Sequence, residues 1–395
     1  MDRRRYLQSS LCLSGSWLIG CDAEPELEPE PLEPDSCAGE LLQRGTKLGN
    51  VPFIGEGDLP LGVAYNAGLD GRLLTDLSLL EPDSLITPNE SFYIRTRYPD
   101  LLEPAQPWRI RVGGLVEAAS ELVLDDLLEL ERPFGTKLLE CSGNSREGQF
   151  GLLSAASWDG IPLTELFERI AVGTGASRVL ISGFDGHSMP SAGGHSTPGA
   201  SWIFSFEGIE AAGAFLATKM NGEPLPPDHG APLRLFVPGW YGCTCIKWVD
   251  EISFVDDGAA ATSQMREFAS RTHQSGTPEL ARDYAPAVID QAAMPIRVER
   301  WQLDGSQVYR VVGILWGGSA PTDRLQIRVS DGGAWEPVSV LPAHSRNDTW
   351  TLWSYCFRPA RAGDYAIQLR VDDPRVRQRR LDSGYYLREV RIDAV

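Results

Sequence analysis

The spacing of apolar residues changes along the chain, and this change constrains the fold more than any other feature of the sequence. Residues 46–255 mix alternating stretches, helix-like stretches and long glycine-rich connections. Residues 294–395 instead form short segments in which apolar and polar side chains alternate, separated by turns such as S-D-G-G at 330–333. Alternation with a period of two is typical of half-buried β-strands. The sequence therefore predicts an α+β domain followed by a small all-β sandwich.

Apolar spacing also predicts individual elements of the first domain. Strands are expected where apolar and polar residues alternate, and helices where apolar residues recur every three to four positions. Between the two domains, residues 256–293 are rich in Ala, Asp, Gly, Ser and Pro, and we expect a linker there. The predicted strands are 108–116, 232–242 and 245–255, and the predicted helices are 122–132 and 162–172.

The amino terminus has the order of a bacterial export signal. Arg3, Arg4 and Arg5 are followed by Y-L-Q and by an apolar stretch too short to span a bilayer as a permanent helix. Residues 18–21, L-I-G-C, match a lipobox, in which cleavage frees Cys21 to carry lipid. We expect a signal over residues 1–21, twin-arginine export, and lipid anchoring in the periplasm or cell envelope. The alternative is the ordinary basic start of a cytoplasmic protein.

An acidic segment follows the predicted signal. Residues 22–35 contain seven acidic residues, four prolines and no basic residue. Such a segment buries little apolar surface and its charges repel one another, so we expect an extended, solvated tether over 22–45. The chain has a formal net charge of −18, and −11 remains when the seven acidic residues of the tether are removed. This balance argues against a nucleic-acid partner and against a polybasic membrane patch.

Cysteine usage argues against several common redox and metal sites. Of seven cysteines, one lies in the predicted signal and one would carry lipid, and the odd number that remains leaves at least one unpaired. Cys243 and Cys245 share a face of a segment predicted to be extended, so a disulfide between them would be strained. We find no C-x-x-C-H, no G-x-G-x-x-G and no G-x-x-x-x-G-K-[S/T] motif. The remaining cysteines are 37, 141, 243, 245 and 356.

One of these cysteines lies where chemistry is commonly placed. Residues 137–146 read KLLECSGNSR, which is an apolar run followed by a turn-forming Ser-Gly-Asn. This pattern places Cys141 at the end of a strand. The simplest alternative is a buried cysteine that acts as a small apolar residue.

Several motifs together resemble the sulfite oxidase family of molybdopterin-dependent oxidoreductases. The resemblance covers about residues 80–395 and is most specific at ECSGNSR, 140–146, and at MNGEPLPPDHGAPLRLFVPGWYGCTCIKW, 220–248. It implies a molybdopterin-binding catalytic domain over 46–255 and an immunoglobulin-like dimerisation domain over 294–395, which allows a homodimer. The other matching segments are TPNESFYIRTR, WDGIPL, GILWGG and RVSDGGAW.

The resemblance assigns cofactor roles residue by residue. It implies that Cys141 coordinates molybdenum, and a thiolate is a soft ligand suited to such a metal. Family members often have Arg-Asn-His where this chain has Arg95, Thr96 and Arg97. The arginine is the same, and the two residues after it differ. For each cation the alternative is a surface charge, and for His229 it is a turn-capping role. The implied pterin contacts are Tyr93, Arg95, Asp185, His229, Arg234, Cys245, Ile246 and Lys247.

The resemblance is weaker in the substrate pocket. It implies that Arg95, Arg146 and Trp158 bind a small oxyanion or sulfoxide. The family's active-site tyrosine corresponds to Phe268, which lacks the hydroxyl, although Tyr284 could fold back to supply one. A further family arginine aligns with Ser383, and Arg380 or Arg388 would have to compensate for it.

The resemblance implies an enzyme that transfers oxygen atoms at a molybdenum centre. Oxidation of sulfite to sulfate is the expected reaction. No haem or flavin segment is recognised, so a separate electron carrier such as a cytochrome is implied. The alternatives are a related reductase, acting on a sulfoxide or nitrate, and a non-catalytic interaction protein tethered to the envelope.

Overall fold

The structure is a computed structural model that describes residues 30–31, 34–82, 85–103, 107–194, 196–330, 333–340 and 349–393. The predicted signal and residues 22–29 of the predicted tether lie outside these ranges.

Strands dominate the secondary structure. In chain order the first part contains β1 (Glu30–Pro31), α1 (Pro34–Arg44), β2 (Thr46–Val51), β3 (Phe53–Ile54), β4 (Arg109–Gly114), β5 (Ser120–Val123), α2 (Leu124–Leu127), β6 (Arg132–Glu140), β7 (Leu153–Pro162), α3 (Leu163–Phe167), β8 (Arg178–Gly183), β9 (Ser201–Ser205), α4 (Phe206–Ala212), β10 (Phe215–Met220), β11 (Glu223–Pro224), β12 (Arg234–Phe236) and β13 (Val249–Val255). The second part contains α5 (Ser263–Glu267), β14 (Ala292–Leu303), β15 (Ser306–Trp316), β16 (Leu325–Val329), β17 (Glu336–Pro337), β18 (Ser339–Val340), β19 (Thr351–Arg358), β20 (Gly363–Val371), α6 (Arg379–Asp382) and β21 (Arg388–Ile392).

The first domain is built on two five-stranded sheets. One has the order β11-β10-β7-β6, with β12 paired to β10, and the other has the order β5-β4-β13-β8-β9. Strand β13 runs parallel to β4 and antiparallel to β8. Trp158, Phe215 and Phe236 are fully buried against one another at the first sheet. This core fixes the end of β6, after which Cys141 follows directly.

The second domain is the all-β sandwich that the sequence predicts. One sheet has the order β1-β19-β15-β14-β2, with β18 paired to β19, and the other has the order β17-β16-β20-β21-β3. Strands β2 and β3 pair with β14 and β21. Residues 46–54 therefore contribute strands to this sandwich, although the sequence placed them in the first domain.

Both predicted helices of the first domain are shorter than the sequence indicates. Within 122–132, the α-helix covers Leu124–Leu127 and continues as a 3₁₀ turn over Leu128–Leu130. The first two residues of that prediction lie in strand β5, where Val123 pairs with Arg109 of β4. Within 162–172, the helix covers Leu163–Phe167. Residues 122 and 123, which apolar spacing assigned to a helix, therefore pair with β4 as part of the edge strand β5.

The predicted tether and linker are also more ordered than their composition suggests. Residues 34–44, expected to be extended, form helix α1, whose Leu41 is fully buried beside Trp301 and Val308. In the linker, helix α5 begins at a Thr262 cap that accepts from the Met265 amide. Met265 is buried against the first domain's core. Local composition missed both segments because their apolar partners are distant in sequence.

The cysteines also differ from the expected local geometry. Residues Gly242–Thr244 form a 3₁₀ turn, so the segment holding Cys243 and Cys245 is not extended. Cys141, Cys243 and Cys245 are free and buried, whereas Cys356 is disulfide-bonded. Within the part of the chain that the structure describes, no helix is long and apolar enough to cross a membrane.

Candidate active site

A cavity of about 890 Å³ opens in the first domain beside the end of β6. Its wall is formed by residues 93–96, by the turn that begins at Cys141, by residues 228–248 and by helix α5 with Phe268. Ten of the twelve predicted site residues line it together, although they span 175 positions of sequence. They are Tyr93, Arg95, Cys141, Asp185, His229, Arg234, Cys245, Ile246, Lys247 and Phe268.

Cys141 lies at the base of this cavity, at the start of a tight turn. Its amide donates to the Leu152 carbonyl at 3.0 Å, and its carbonyl accepts from the Asn144 amide at 3.0 Å. The amide of Gly143 points at the Cys141 Sγ atom, 3.3 Å away. The Gly143 amide is thus oriented toward the sulfur atom, and the thiolate is the form of cysteine that binds metals.

Two basic side chains share the wall next to this thiol. Arg234, in β12, is buried and donates from Nη1 to the His229 carbonyl at 3.2 Å. Lys247 donates from Nζ to the Asp228 carbonyl at 2.9 Å and to the Thr96 carbonyl. Burial, and then the charge of Arg234, holds the pKa of Lys247 well below its ordinary value. Two partly desolvated cations side by side are unfavourable unless an anion joins them.

His229 is neutral and has a defined tautomer. Burial, followed by the charges of Arg234 and Lys247, lowers the pKa of His229 to about 3. Its Nε2 atom lies 3.1 Å from the Asn89 carbonyl oxygen. Because a carbonyl accepts, Nε2 carries the proton and Nδ1 is an acceptor. The ring also packs edge-on against Phe92. These contacts give His229 a fixed orientation at the cavity wall rather than a turn-capping role.

A close approach of two backbone segments brings Tyr93 over the Cys141 turn. A Cβ atom at Gly242 would lie 2.9 Å from the Tyr93 hydroxyl and 3.6 Å from the Cys141 Cα. A larger residue at position 242 would therefore have to displace the Tyr93 hydroxyl, which favours glycine there. Burial, and then the nearby Cys141, raises the pKa of Tyr93 well above its ordinary value, so its hydroxyl stays protonated.

Two predicted cofactor contacts reach the cavity from flanking loops. Asp185 accepts the Gly199 amide at 3.0 Å and pairs with His187 Nε2 at 3.1 Å. Burial raises the pKa of Asp185. The Cys245 Sγ atom accepts the Val237 amide at 3.4 Å. Each group is thus held by backbone contacts before any ligand binds.

Two arginines converge on one serine at the cavity wall. Arg95 Nη1 lies 2.7 Å from Ser196 Oγ, and Arg72 Nη2 lies 3.2 Å from the same oxygen. Burial, and then the charge of Arg95, lowers the pKa of Arg72 to about 10, so it remains charged at neutral pH. Arg72 and Ser196 were missed by sequence reasoning, because neither lies in a recognisable motif.

Two residues predicted for the substrate pocket do not line this cavity. Trp158 is fully buried, packs against Phe92 and Phe236, and donates to the Lys137 carbonyl at 3.3 Å. It is a core residue, and its predicted pocket role is corrected accordingly. Arg146 lies 3.6 Å from the Glu56 carboxylate and donates to the Leu387 carbonyl. These partners hold its guanidinium away from the cavity.

The expected substitutes for missing family residues lie elsewhere. Tyr284 donates to the Pro278 carbonyl at 3.1 Å and is not part of the cavity wall, whereas Phe268 is. Arg380 donates to the Glu140 carboxylate at 3.0 Å. Arg388 pairs with Glu56 at 3.1 Å. Neither arginine supplies the positive charge that Ser383 lacks.

The residues present fit a molybdenum–pterin cofactor. Among the described residues, the buried Arg234 Nε and Ser142 Oγ atoms have no hydrogen-bond partner, and both residues line the cavity. Buried polar atoms are rarely left unpaired, so these atoms are suited to a polar ligand. A phosphate would satisfy Arg234 and Lys247, and the Cys141 thiolate suits a soft metal.

Comparison with known proteins agrees with this chemistry. A family model described as the oxidoreductase molybdopterin binding domain matches residues 96–262. Mitochondrial sulfite oxidase of Rattus norvegicus is 27% identical over 311 residues, covering 73% of this chain and 55% of its own length. Inducible nitrate reductase [NADH] 1 of Glycine max is 25% identical over 376 residues, covering 85% of this chain and 40% of its own length. The chain thus spans roughly half of the length of these curated relatives.

The fold is also similar to a solved structure. The crystal structure of the sulfane dehydrogenase SoxCD from Paracoccus pantotrophus aligns with a TM-score of 0.60 at 19% identity, covering 94% of this chain and 86% of that chain. At this identity the likeness concerns the fold. The match over residues 96–262 shows that this part of the chain is a molybdopterin-binding oxidoreductase domain, whose cofactor is molybdenum bound to molybdopterin, and the chain is similar to sulfite oxidases and nitrate reductases.

Proposed function

We propose that this protein oxidises sulfite to sulfate at a molybdenum centre bound by Cys141. The observation that carries the proposal is that the Cys141 thiol and the Arg95 guanidinium line one cavity. When bound, the cofactor supplies oxygen-atom transfer and accepts two electrons. Sulfite and water thus give sulfate, two protons and two electrons, and the electrons pass to a separate carrier such as a cytochrome.

The buried cations and His229 would hold the cofactor. Arg234 is suited to a pterin phosphate because its Nε atom is buried without a partner among the described residues. Lys247 adds a second charge at the same wall, and its Nζ atom is oriented by two backbone carbonyls. Neutral His229 offers Nδ1 as an acceptor for a pterin N–H. The Cys141 thiolate would bind the metal itself.

Arg95 would bind the substrate anion, and Arg72, whose Nη1 atom donates to backbone carbonyls, would add positive charge behind it. Arg95 and Arg72 both contact Ser196, so two guanidinium groups concentrate positive charge in an otherwise acidic protein. Guanidinium groups match planar and pyramidal oxyanions well. Glu267 also lines the cavity, and its partial burial raises the pKa of that carboxyl.

A second candidate is reduction of a sulfoxide at the same centre. Phe268 favours it, because a phenyl ring in the cavity wall suits a bulkier, less charged substrate than sulfite. Nitrate reduction belongs to the same panel of substrates, since a nitrate reductase is among the relatives.

Two measurements test the proposal. Purified protein from a host that makes molybdopterin should contain stoichiometric molybdenum, whereas a non-catalytic interaction protein would contain none. Steady-state kinetics with an artificial electron acceptor should then show sulfite turnover exceeding turnover of other oxyanions. Sulfoxide or nitrate reduction without sulfite oxidation would replace sulfite as the substrate and leave the cofactor assignment standing.

We also propose that the protein works outside the cytoplasm. The support is the order of Arg3, Arg4 and the 18–21 lipobox, which predicts export and a lipid on Cys21. The electron carrier would then share the periplasm or envelope with the protein. A homodimer through the second domain is the expected assembly, and the acidic surface does not suit nucleic acid.

A further inference from the structure

The residue before Cys141, the proposed metal ligand, has a buried carboxyl group. Glu140 is the last residue of β6 and is fully buried. Its carboxylate accepts hydrogen bonds from Tyr386 Oη at 2.8 Å, from Trp316 Nε1 at 2.9 Å and from Arg380 Nη1 at 3.0 Å. All three donors belong to the second domain. We call Glu140 and these donors the Glu140 clasp.

The second domain also holds the far end of the cysteine turn. The Tyr385 hydroxyl donates to the Asn144 carbonyl. The Asn144 side chain accepts the Leu152 amide at 3.1 Å, and its Nδ2 atom lies 3.5 Å from Glu140 Oε1. Each end of the 140–144 segment therefore contacts a side chain more than 170 positions away in sequence: Trp316 at Glu140 and Tyr385 at Asn144.

Burial of the Glu140 carboxyl group makes these hydrogen bonds necessary. A buried carboxylate is strongly destabilising unless a cation and hydrogen-bond donors meet it. Arg380 supplies the cation, and its guanidinium is itself packed over the rings of Tyr241 and Tyr385 at about 5 Å. The carboxylate is thus satisfied only when α6 and β15 are docked against the end of β6.

We propose that Arg380, Tyr386 and Trp316 are positioning residues that set the conformation of the Cys141 turn. The second domain is then part of the cofactor site, because it fixes the direction of the Cys141 thiol and of the Gly143 amide that points at it. The role of these residues in the cofactor site rests on the proposed function, in which Cys141 is the metal ligand. Their effect on the conformation of the Cys141 turn can be measured without the metal.

The first test uses conservative variants of the cofactor-free protein. Tyr386→Phe removes one donor and keeps the ring, and Arg380→Lys keeps the charge but loses the guanidinium geometry. Hydrogen–deuterium exchange of the amides between Cys141 and Leu152 should become about ten-fold faster or more in both variants, as expected for losing a hydrogen bond to a charged group. Unchanged exchange in folded variants would overturn the proposal.

Matched controls separate positioning from general loss of stability. Tyr365→Phe removes another hydroxyl of the same sandwich, which donates to the Arg361 carbonyl at 2.7 Å. Arg379→Lys alters the exposed residue next to Arg380 in α6. Neither control should change exchange in the Cys141 turn. If the controls and the clasp variants behave alike, the effect belongs to the sandwich as a whole and the proposal fails.

A second readout follows the thiol directly. In cofactor-free protein, alkylation of Cys141 by iodoacetamide should change several-fold in the clasp variants, while Cys243 and Cys245 serve as internal references within the same cavity. Molybdenum occupancy of the same variants should fall when they are made in a cofactor-competent host. A parent protein without molybdenum would contradict the proposed function. Hydrogen–deuterium exchange and alkylation would still show whether the Glu140 clasp sets the conformation of the Cys141 turn.

Discussion

His229 Nε2 lies 3.1 Å from the carbonyl oxygen of Asn89, so the histidine of the cofactor cavity is anchored by backbone rather than by a carboxylate. A backbone carbonyl accepts the proton of the neutral ring, and it stabilises the protonated, positively charged ring less than a carboxylate would. With Arg234 and Lys247 also opposing a proton, the ring stays neutral over the physiological range. This arrangement has a consequence for stability in acid.

We expect cofactor-free protein to lose stability through His229 as pH falls below about 6.5. The folded pKa is about 3 and the ordinary value is 6.5, so between them the unfolded state binds a proton that the folded state does not. Stability from this group is therefore complete above the unfolded pKa and declines toward acid, by about 1.4 kcal/mol per pH unit. The loss from about pH 6.5 to about pH 5 is about 2 kcal/mol.

Urea unfolding at neutral and acid pH measures this slope. His229→Gln keeps an N–H donor for Asn89 but does not titrate, so its stability should decline less steeply in acid than that of the parent. His273→Gln, at a half-exposed histidine paired with Asp290, removes a histidine outside the cavity and serves as the control. Equal slopes for the parent and His229→Gln would show that the ring is not the group responsible.

Cys141→Ser should abolish molybdenum-dependent turnover while leaving the fold largely intact. A serine hydroxyl is a harder and more weakly donating ligand than a thiolate, and it occupies similar space. Turnover and metal content of purified protein give the answer, with circular dichroism as the check on folding. Cys243→Ser, in the same cavity, is the matched control. Full activity in Cys141→Ser would exclude Cys141 as the ligand.

Most of the predicted residues that line the cavity could be found from sequence because they lie in short local motifs. A strand followed by Ser-Gly-Asn places Cys141 at a strand end, and β6 does end at Glu140. Residues 220–248 contain His229, Arg234 and Lys247 at fixed spacing, and all three line the cavity. The all-β sandwich was equally readable, because alternation with a period of two is a local signal.

The remainder of the site depends on contacts that no local pattern records. Arg72 reaches Ser196 across 124 positions, and Arg380 reaches Glu140 across 240. Trp158 was predicted from motif position to face the substrate, but its ring is needed between Phe92 and Phe236 in the core. Helix α1 was missed because its start is acidic and contains proline. The residues that bury Leu41 are more than 250 positions away, so no local pattern reveals them.

Export should depend on the paired arginines. Changing Arg3 and Arg4 to Lys should leave folded precursor in the cytoplasm, because the twin-arginine route recognises the guanidinium pair specifically. Immunoblotting of periplasmic and cytoplasmic fractions measures the distribution, and Arg44→Lys serves as a control outside the predicted signal. Normal export of the double variant would mean that the signal was misread.

Lipid attachment is a separate expectation for Cys21. Cys21→Ala removes the acceptor thiol, so the protein should lose its lipid and move from the membrane fraction to the soluble fraction. Fractionation together with mass spectrometry of the amino-terminal peptide detects both changes. A variant that remains in the membrane fraction would contradict the predicted anchor.

Phe268→Tyr tests which substrate the cavity serves. If the protein oxidises sulfite, a hydroxyl at this position can donate to the charge that develops near the metal during oxygen transfer. A well-aimed donor of this kind contributes roughly 1–4 kcal/mol, so the rate should rise by a factor of about five to several hundred. If the natural substrate is a sulfoxide, the phenyl ring is part of its binding surface. The tyrosine would then help little, and an unpaired hydroxyl would slow the reaction.

Steady-state kinetics on sulfite and on a sulfoxide panel separate these outcomes. The parent and Phe268→Tyr are compared at matched molybdenum loading, so that a change in turnover is not a change in metal content. Tyr284→Phe is the control, because its hydroxyl binds the Pro278 carbonyl and does not reach the cavity. A rate gain confined to Phe268→Tyr on sulfite supports sulfite as the substrate. Sulfite turnover in neither form would remove sulfite oxidation as the function, whereas Arg95 in the cavity wall would still favour an oxygen-bearing substrate that accepts hydrogen bonds.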